Sequence, residues 1–138
     1  MTIEIRGHSG WNLQDAQQEL NELVQSCRCQ IVSEMTSKIQ RPNPNFLIGK
    51  GKIEEIARMA EEGKIDAAIF NQQLSPAQQR NIEEVIGIKT IDRSQLILDI
   101  FAQRAQSREG KLQVELAQLQ YLLPRLTGQG ILLSRLGG

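Results

Sequence analysis

Residues 66–95 read DAAIFNQQLSPAQQRNIEEVIGIKTIDRSQ, and this stretch decides the fold class. Asp66 to Phe70 is a short apolar run, too short for a helix and suited to a buried strand. Ser75-Pro76-Ala77-Gln78 then carries three helix-start signals. Ser75 suits an N-cap, Pro76 the first helical position, and Gln78 the far end of a capping box. The spacing predicts a helix to about Ile86, stopped by Gly87. Ile88 to Ile91 reads as another strand. Asp92-Arg93-Ser94-Gln95 reads as a second capping box, opening a helix through about Gln106.

Working outward toward the N-terminus, the same alternation continues. Phe46, Leu47 and Ile48 read as a short buried strand, and Gly49-Lys50-Gly51-Lys52 turns it into a helix over about 52–62. Ile53, Ile56, Ala57 and Ala60 form the apolar stripe of that helix, and Gly63 is its expected stop. Upstream, Asn12 is the expected cap of a helix over 13–26, with Leu13, Ala16, Leu20, Leu23, Val24 and Cys27 on one face. A strand is expected at about 28–37, and an edge strand or frayed end at residues 2–6. Strands alternating with helices over short loops predict an α/β fold, with helices flanking a small, mainly parallel four-stranded sheet. The connection from 37 to 46 is too short for a helical crossover, which leaves room for one antiparallel pair.

Beyond residue 107 the pattern changes. Leu112, Leu116, Leu119, Leu123 and Leu126 are spaced 4, 3, 4, 3, the seam of a coiled coil. A seam needs a partner, so this long C-terminal helix is expected to be half of a helical hairpin, or to dimerise with a second copy. Gly110 is expected to interrupt the helix and Pro124 to kink or tighten its end. The chain divides into an α/β unit at 1–106 and a helical piece at 107–138.

Composition narrows the chemistry. The 138 residues carry 16 Lys+Arg against 16 Asp+Glu, which excludes a uniformly basic nucleic-acid protein. Aromatic residues are 4%, which argues against a base-stacking platform. The neutrality is an average. Residues 1–52 carry six cations and five anions, residues 53–92 four and eight, and residues 93–138 six and three. A basic C-terminal third suggests an edge facing a polyanion, against the plainer reading of solvated faces. No signal sequence opens the chain and the apolar runs stop at four or five residues, so a cytoplasmic protein without a membrane span is expected.

Catalytic and metal signals are weak. His8 is the single histidine, and Cys27 with Cys29 would need two further ligands for zinc, so these read as core cysteines. Gly49-Lys50-Gly51-Lys52 looks like half a phosphate loop. The full motif ends in Gly-Lys-Ser/Thr with a glycine five residues before its second glycine. Phe46 and Ile53 stand at those positions, so the Mg²⁺-binding hydroxyl is missing. What remains is a glycine-rich helix start with two lysines, able to hold a phosphate through backbone N–H groups, or a tight turn with solvated side chains. No constellation for an enzyme emerges.

Several long motifs occur together and in order: GKGKIEE at 49–55, SPAQQRN at 75–81, Ile91-Asp92-Arg93, and LILDIFAQRAQSREGKLQVELAQLQYLLPRL at 96–126. Together they closely resemble the N-terminal domain of HflX-type, ribosome-associated GTPases. The resemblance implies an α/β subdomain, then a helical hairpin, then a GTPase domain. It implies binding to the large ribosomal subunit and nucleotide-dependent ribosome splitting, with the hairpin approaching rRNA. On that basis Arg104, Arg108, Lys111, Arg125 and Arg135 are the expected phosphate contacts to rRNA. GTP and Mg²⁺ are implied for the full-length family, and ATP binding by the N-terminal domain is possible. The sequence departs from the family after Leu133-Ser134-Arg135-Leu136-Gly137-Gly138, where the hairpin tip begins. The returning helix, the GTPase domain, and the DxxG and N-K-x-D motifs are not among these residues, so no GTP hydrolysis is expected of them. The alternative is a stand-alone nucleotide-binding or regulatory α/β domain using Gly49, Lys50, Gly51 and Lys52.

Overall fold

A computed structural model describes residues 1–5, as backbone beyond Met1, and residues 12–126. The order of elements is β1 (Thr2–Ile5), α1 (Leu13–Ser26), β2 (Thr36–Ile39), α2 (Lys50–Gly63), β3 (Ala67–Ile69), α3 (Pro76–Ile86), β4 (Lys89–Ile91), α4 (Arg93–Arg104) and α5 (Arg108–Leu126). The alternation read from the sequence is an α/β fold with a long C-terminal helix.

The expected caps form at Asn12, Ser75 and Asp92, although of the box read at Asp92–Gln95 only the Asp92 half is present. The Asn12 side chain accepts from the Asp15 N–H at 2.8 Å. Ser75 Oγ accepts from the Gln78 N–H at 3.1 Å, and Gln78 Oε1 accepts from the Ser75 N–H at 2.9 Å, so both halves of that capping box exist. Gly87 closes α3 at φ +73°, in the left-handed region that glycine enters without a Cβ clash. At the end of α2 the left-handed residue is Lys64, at φ +50°, so the stop falls one residue after Gly63.

The strands are paired differently from the expectation. β1 pairs with β2 and β3 with β4, both parallel, as two two-stranded sheets and not one four-stranded sheet. The stagger explains this. Met1 lies beside the end of β3, where its amino group donates to the Ile69 carbonyl at 2.6 Å and its carbonyl accepts from the Asn71 N–H at 3.2 Å. β1 therefore begins where β3 stops, leaving a single residue to link the pairs.

Two other expected strands are corrected. The strand placed at 28–37 is Thr36–Ile39, after an irregular stretch. Phe46-Leu47-Ile48 is no strand. Asn43 and Leu47 exchange two backbone hydrogen bonds, and Asn43 Oδ1 accepts from the Asn45 and Phe46 N–H groups. The segment closes on itself, with Leu47 at φ +65°. The expected antiparallel pairing is only this local Asn43–Leu47 bridge. The burial expectation holds for Leu47 and Ile48, which enter the core.

The core lies on both sides of the strands. On one side Leu47, Ile48, Ile53, Ile56, Phe70, Leu74, Ile82 and Ile86 join α2 to α3. On the other Leu20, Val24, Leu96 and Ile100 join α1 to α4. Within β3, Ala68 packs toward the first cluster and Ile69 toward the second, the period-two alternation of a strand covered on both faces.

α4 ends at Arg104, earlier than Gln106. Ser107 Oγ then accepts from the Gly110 N–H at 2.9 Å, so the next helix starts at Arg108 and Gly110 lies in its first turn. The break expected at Gly110 is thus an elbow at 105–107. Pro124 falls inside α5, which continues to Leu126.

Candidate functional site

The long helix α5 has two faces of opposite character. Val114, Ala117, Gln118, Tyr121 and Arg125 are the half-buried residues that face the body. Their spacing of three and four residues is a second helical stripe beside the leucines. Leu112, Leu116, Leu119 and Leu123 point away, each with 55–61% of its surface exposed, and Leu126 is also exposed. Among the described residues nothing covers this leucine stripe.

Arg125 is held against the body. Its side chain is 13% exposed. Nε donates to Gln79 Oε1 at 2.6 Å, Nη1 to the Tyr121 carbonyl at 2.9 Å, and Nη2 to the Leu74 carbonyl at 2.5 Å. Nη2 also lies 3.4 Å from Asp92 Oδ2, and the guanidinium stacks 3.6 Å above the Tyr121 ring. Arg125, expected as an rRNA contact, thus has most of its donors engaged within the protein.

The centre of that network is Asp92, the N-cap of α4, whose side chain is fully buried. Oδ1 accepts from the Gln95 N–H at 2.9 Å and from the Tyr121 hydroxyl at 2.7 Å, and Oδ2 accepts from the Leu74 N–H at 3.0 Å. Burial, and then donation to Asp92, push the Tyr121 hydroxyl well above the ordinary phenol range. Gln79 extends the network to the sheet edge by donating to the Thr90 carbonyl at 2.8 Å. Leucine spacing alone hides this cluster. The signal that reveals it is the 3, 4, 4 spacing of Val114, Ala117, Tyr121 and Arg125.

The other expected cations fall elsewhere. Arg104, Arg108 and Lys111 are exposed and bracket the elbow between α4 and α5. Arg104 also rims a shallow groove lined by Leu98, Phe101, Ala105 and Val114. Arg135 lies outside the described residues, as does His8. Nearby, burial raises the Asp99 carboxyl, opposed by Lys89 and by a hydrogen bond with Gln118 of α5.

Gly49 is the N-cap of α2 and makes no side-chain cap bond. A Cβ placed on Gly49 or Gly51 would meet nothing within 4 Å, so the helix end is open. No acidic residue stands in its first turn. Lys50 is exposed, and Lys52 Nζ pairs with Glu55 at 3.4 Å. Ile53, at the position where a phosphate loop needs a hydroxyl, is wholly buried in the core. These residues do not fit a Mg²⁺–GTP centre, although a phosphate could approach the open turn.

Cys27 packs beside the α1–α4 cluster, and burial, then the neighbouring Cys29, raise its thiol above the ordinary range. Cys29 is exposed, which corrects its reading as a core residue. Among the described residues no group of three His, Cys, Asp or Glu could hold a metal ion. No helix there is long and apolar enough to cross a membrane.

The chain matches two consecutive family models. Residues 14–102 match "GTP-binding GTPase N-terminal" and residues 104–138 match "GTP-binding GTPase Middle Region". Neither is the catalytic GTPase domain. The chain is 52% identical to GTPase HflX of Alkalihalophilus pseudofirmus over 120 residues, covering 87% of this chain and 28% of that protein. It is 46% identical to GTPase HflX of Escherichia coli over 109 residues, covering 79% and 26%. These curated relatives are thus more than three times as long as the segment matched. Among solved structures, a GTP-binding protein from Sulfolobus solfataricus in complex with GDP is similar at 29% identity. Its TM-score is 0.68, with 94% of this chain and 38% of that one covered.

Proposed function

The chain belongs to the HflX-type GTP-binding protein family, and from that premise we propose that it is the N-terminal ribosome-binding region of such a protein, contacting large-subunit rRNA. The observation that supports this most is the elbow. Arg104, Arg108 and Lys111 are exposed at the base of an arm whose far end is fixed to the body. Exposed cations on rigid helices suit phosphate contacts, which orient a protein on RNA without reading bases. Arg135 belongs to the same reading, whereas Arg125 enters it as a residue that positions the arm. The α/β unit at 1–106 supplies the platform, and 107–138 begins the helical region that approaches the subunit in the cytoplasm. GTP binding and ribosome splitting belong to a GTPase domain of the whole protein.

The test is binding to purified large subunits across a salt series. Reversing Arg104, Arg108 and Lys111 to Glu weakens binding and flattens the logarithmic salt slope by about 2–3. Unchanged affinity and slope would remove the elbow from the interface.

A second reading rests on the open start of α2, with Gly49 and Gly51 unobstructed and Lys50 exposed. There the α/β unit takes an adenine or guanine nucleotide by its phosphates. Saturable binding of ATP or GTP that disappears in Lys50→Ala/Lys52→Ala supports it, and absence of binding below millimolar removes it. The bare leucine stripe is the surface for a returning helix of the longer protein or for a second copy of the chain.

A further inference from the structure

We propose that Asp92, Tyr121 and Arg125 form a latch that fixes the angle of α5 on the α/β body, so that one buried polar node directs the arm. The inference stands on geometry and is independent of what the arm touches.

α5 has no fully buried side chain. Its inward apolar residues in the middle of the helix are Val114 and Ala117, both small and only half-buried. Small apolar contacts are non-directional and hold a helix weakly against rotation. The elbow that precedes α5 is residues 105–107. Tyr121 and Arg125 lie 13 and 17 residues beyond Arg108, about 20 and 25 Å along the helix axis at ~1.5 Å per residue. The polar node therefore acts at the far end of the lever, where a given displacement corresponds to the smallest change of angle. Hydrogen bonds at that point define a direction that sliding apolar contacts do not.

Asp92 can make or lose the arm without losing its own place. Two of its four donors, the Leu74 and Gln95 N–H groups, belong to the body and hold the carboxylate as the cap of α4. The other two, the Tyr121 hydroxyl and Arg125 Nη2, come from α5. When α5 leaves, the cap survives. Arg125 also binds the Leu74 carbonyl just before α3, and through Gln79 it reaches the Thr90 carbonyl on β4. The latch thus engages the start of α3, the start of α4 and the sheet edge together. Hydrogen bonds to three separate elements define one seated orientation of the helix, which is what a positioning device requires.

The test uses the whole 138-residue chain with Cys27→Ala and Cys29→Ser. Spin labels are attached at Glu62→Cys on α2 and Leu119→Cys on α5, both exposed positions. The parent should give one narrow distance distribution. Tyr121→Phe, which keeps the ring and removes one donor, should broaden it, and Arg125→Met should broaden it further. Amide exchange over the second half of α5 should become roughly tenfold faster while α2 and α3 keep their protection. Unchanged distances and exchange in both variants overturn the latch. Equal loss of protection in α2, α3 and α5 of Tyr121→Phe also overturns it, because the node then only supports the core. If Arg125→Met does not fold, Tyr121→Phe alone decides.

Discussion

Ile53 and Leu119 are both aliphatic residues on amphipathic helices, yet Ile53 is wholly buried and Leu119 keeps 55% of its surface in solvent. The body around Ile53 is sealed by apolar side chains from α2, α3 and the loop between β2 and α2. The arm around Leu119 turns its leucines outward and meets the body through Tyr121, Arg125 and two small residues. Apolar periodicity says that a stripe must be covered. It does not say whether the cover lies within the same segment of chain.

The sharpest way to break that contrast is a pair of truncations read by urea denaturation. Ile53→Ala removes buried methylenes from a closed core and should cost about 3–4 kcal/mol. Leu119→Ala should stay within about 0.5 kcal/mol, since an exposed position gains in helix propensity what it loses in packing. A cost near that of Ile53→Ala would mean that the stripe is covered in solution by a second copy.

The same contrast explains what the sequence disclosed. α3 was legible to the residue because its limits are set locally, by Ser75, Pro76 and Gln78 at one end and Gly87 at the other. The turn at 43–48 was not. Its apolar residues are buried as a strand's would be, but the Asn43 side chain captures the following N–H groups and drives Leu47 into the left-handed region. The division of the sheet was hidden too, because strand stagger depends on where Met1 meets Ile69, far along the chain. Of the candidate site, the exposed cations at 104, 108 and 111 follow from their position beside a helix break. Arg125 looked equivalent to them by charge, and only its alignment with Tyr121 and Ala117 separates it.

A smaller effect tests the seam between the two strand pairs. Burial lowers the Met1 amino group from 8.0 to about 6, with Glu34 opposing. The folded chain then binds this proton less tightly than the unfolded chain. Stability should therefore rise as pH goes from about 6 to 8, and be lost on the way back down. At 1.36 kcal/mol per pH unit the rise is capped at about 2.7 kcal/mol. Denaturation midpoints at the two ends of that window measure it. An N-terminally acetylated chain should lose the slope, and a slope that persists undiminished comes from another group.

The smallest predicted effect has the opposite sign. Thr90 is fully buried, and its hydroxyl has no hydrogen-bond partner among the described residues. Its backbone is well served: the N–H donates to Glu83 Oε1 at 3.0 Å and the carbonyl accepts from Gln79. α3 therefore seals this strand edge through main-chain atoms, and the polar network reaching Arg125 uses the Thr90 carbonyl and not its side chain. Thr90→Val keeps the β-branched shape suited to a strand and removes an unpaired buried hydroxyl. The variant should be unchanged or up to about 1 kcal/mol more stable, read as a higher melting temperature. A loss above about 1 kcal/mol would mean that the hydroxyl does find a partner, such as a buried water. The polar network, which already reaches β4 at the Thr90 carbonyl, would then take in the side chain as well, and the separation between an apolar core and a polar latch would have to be redrawn at β4.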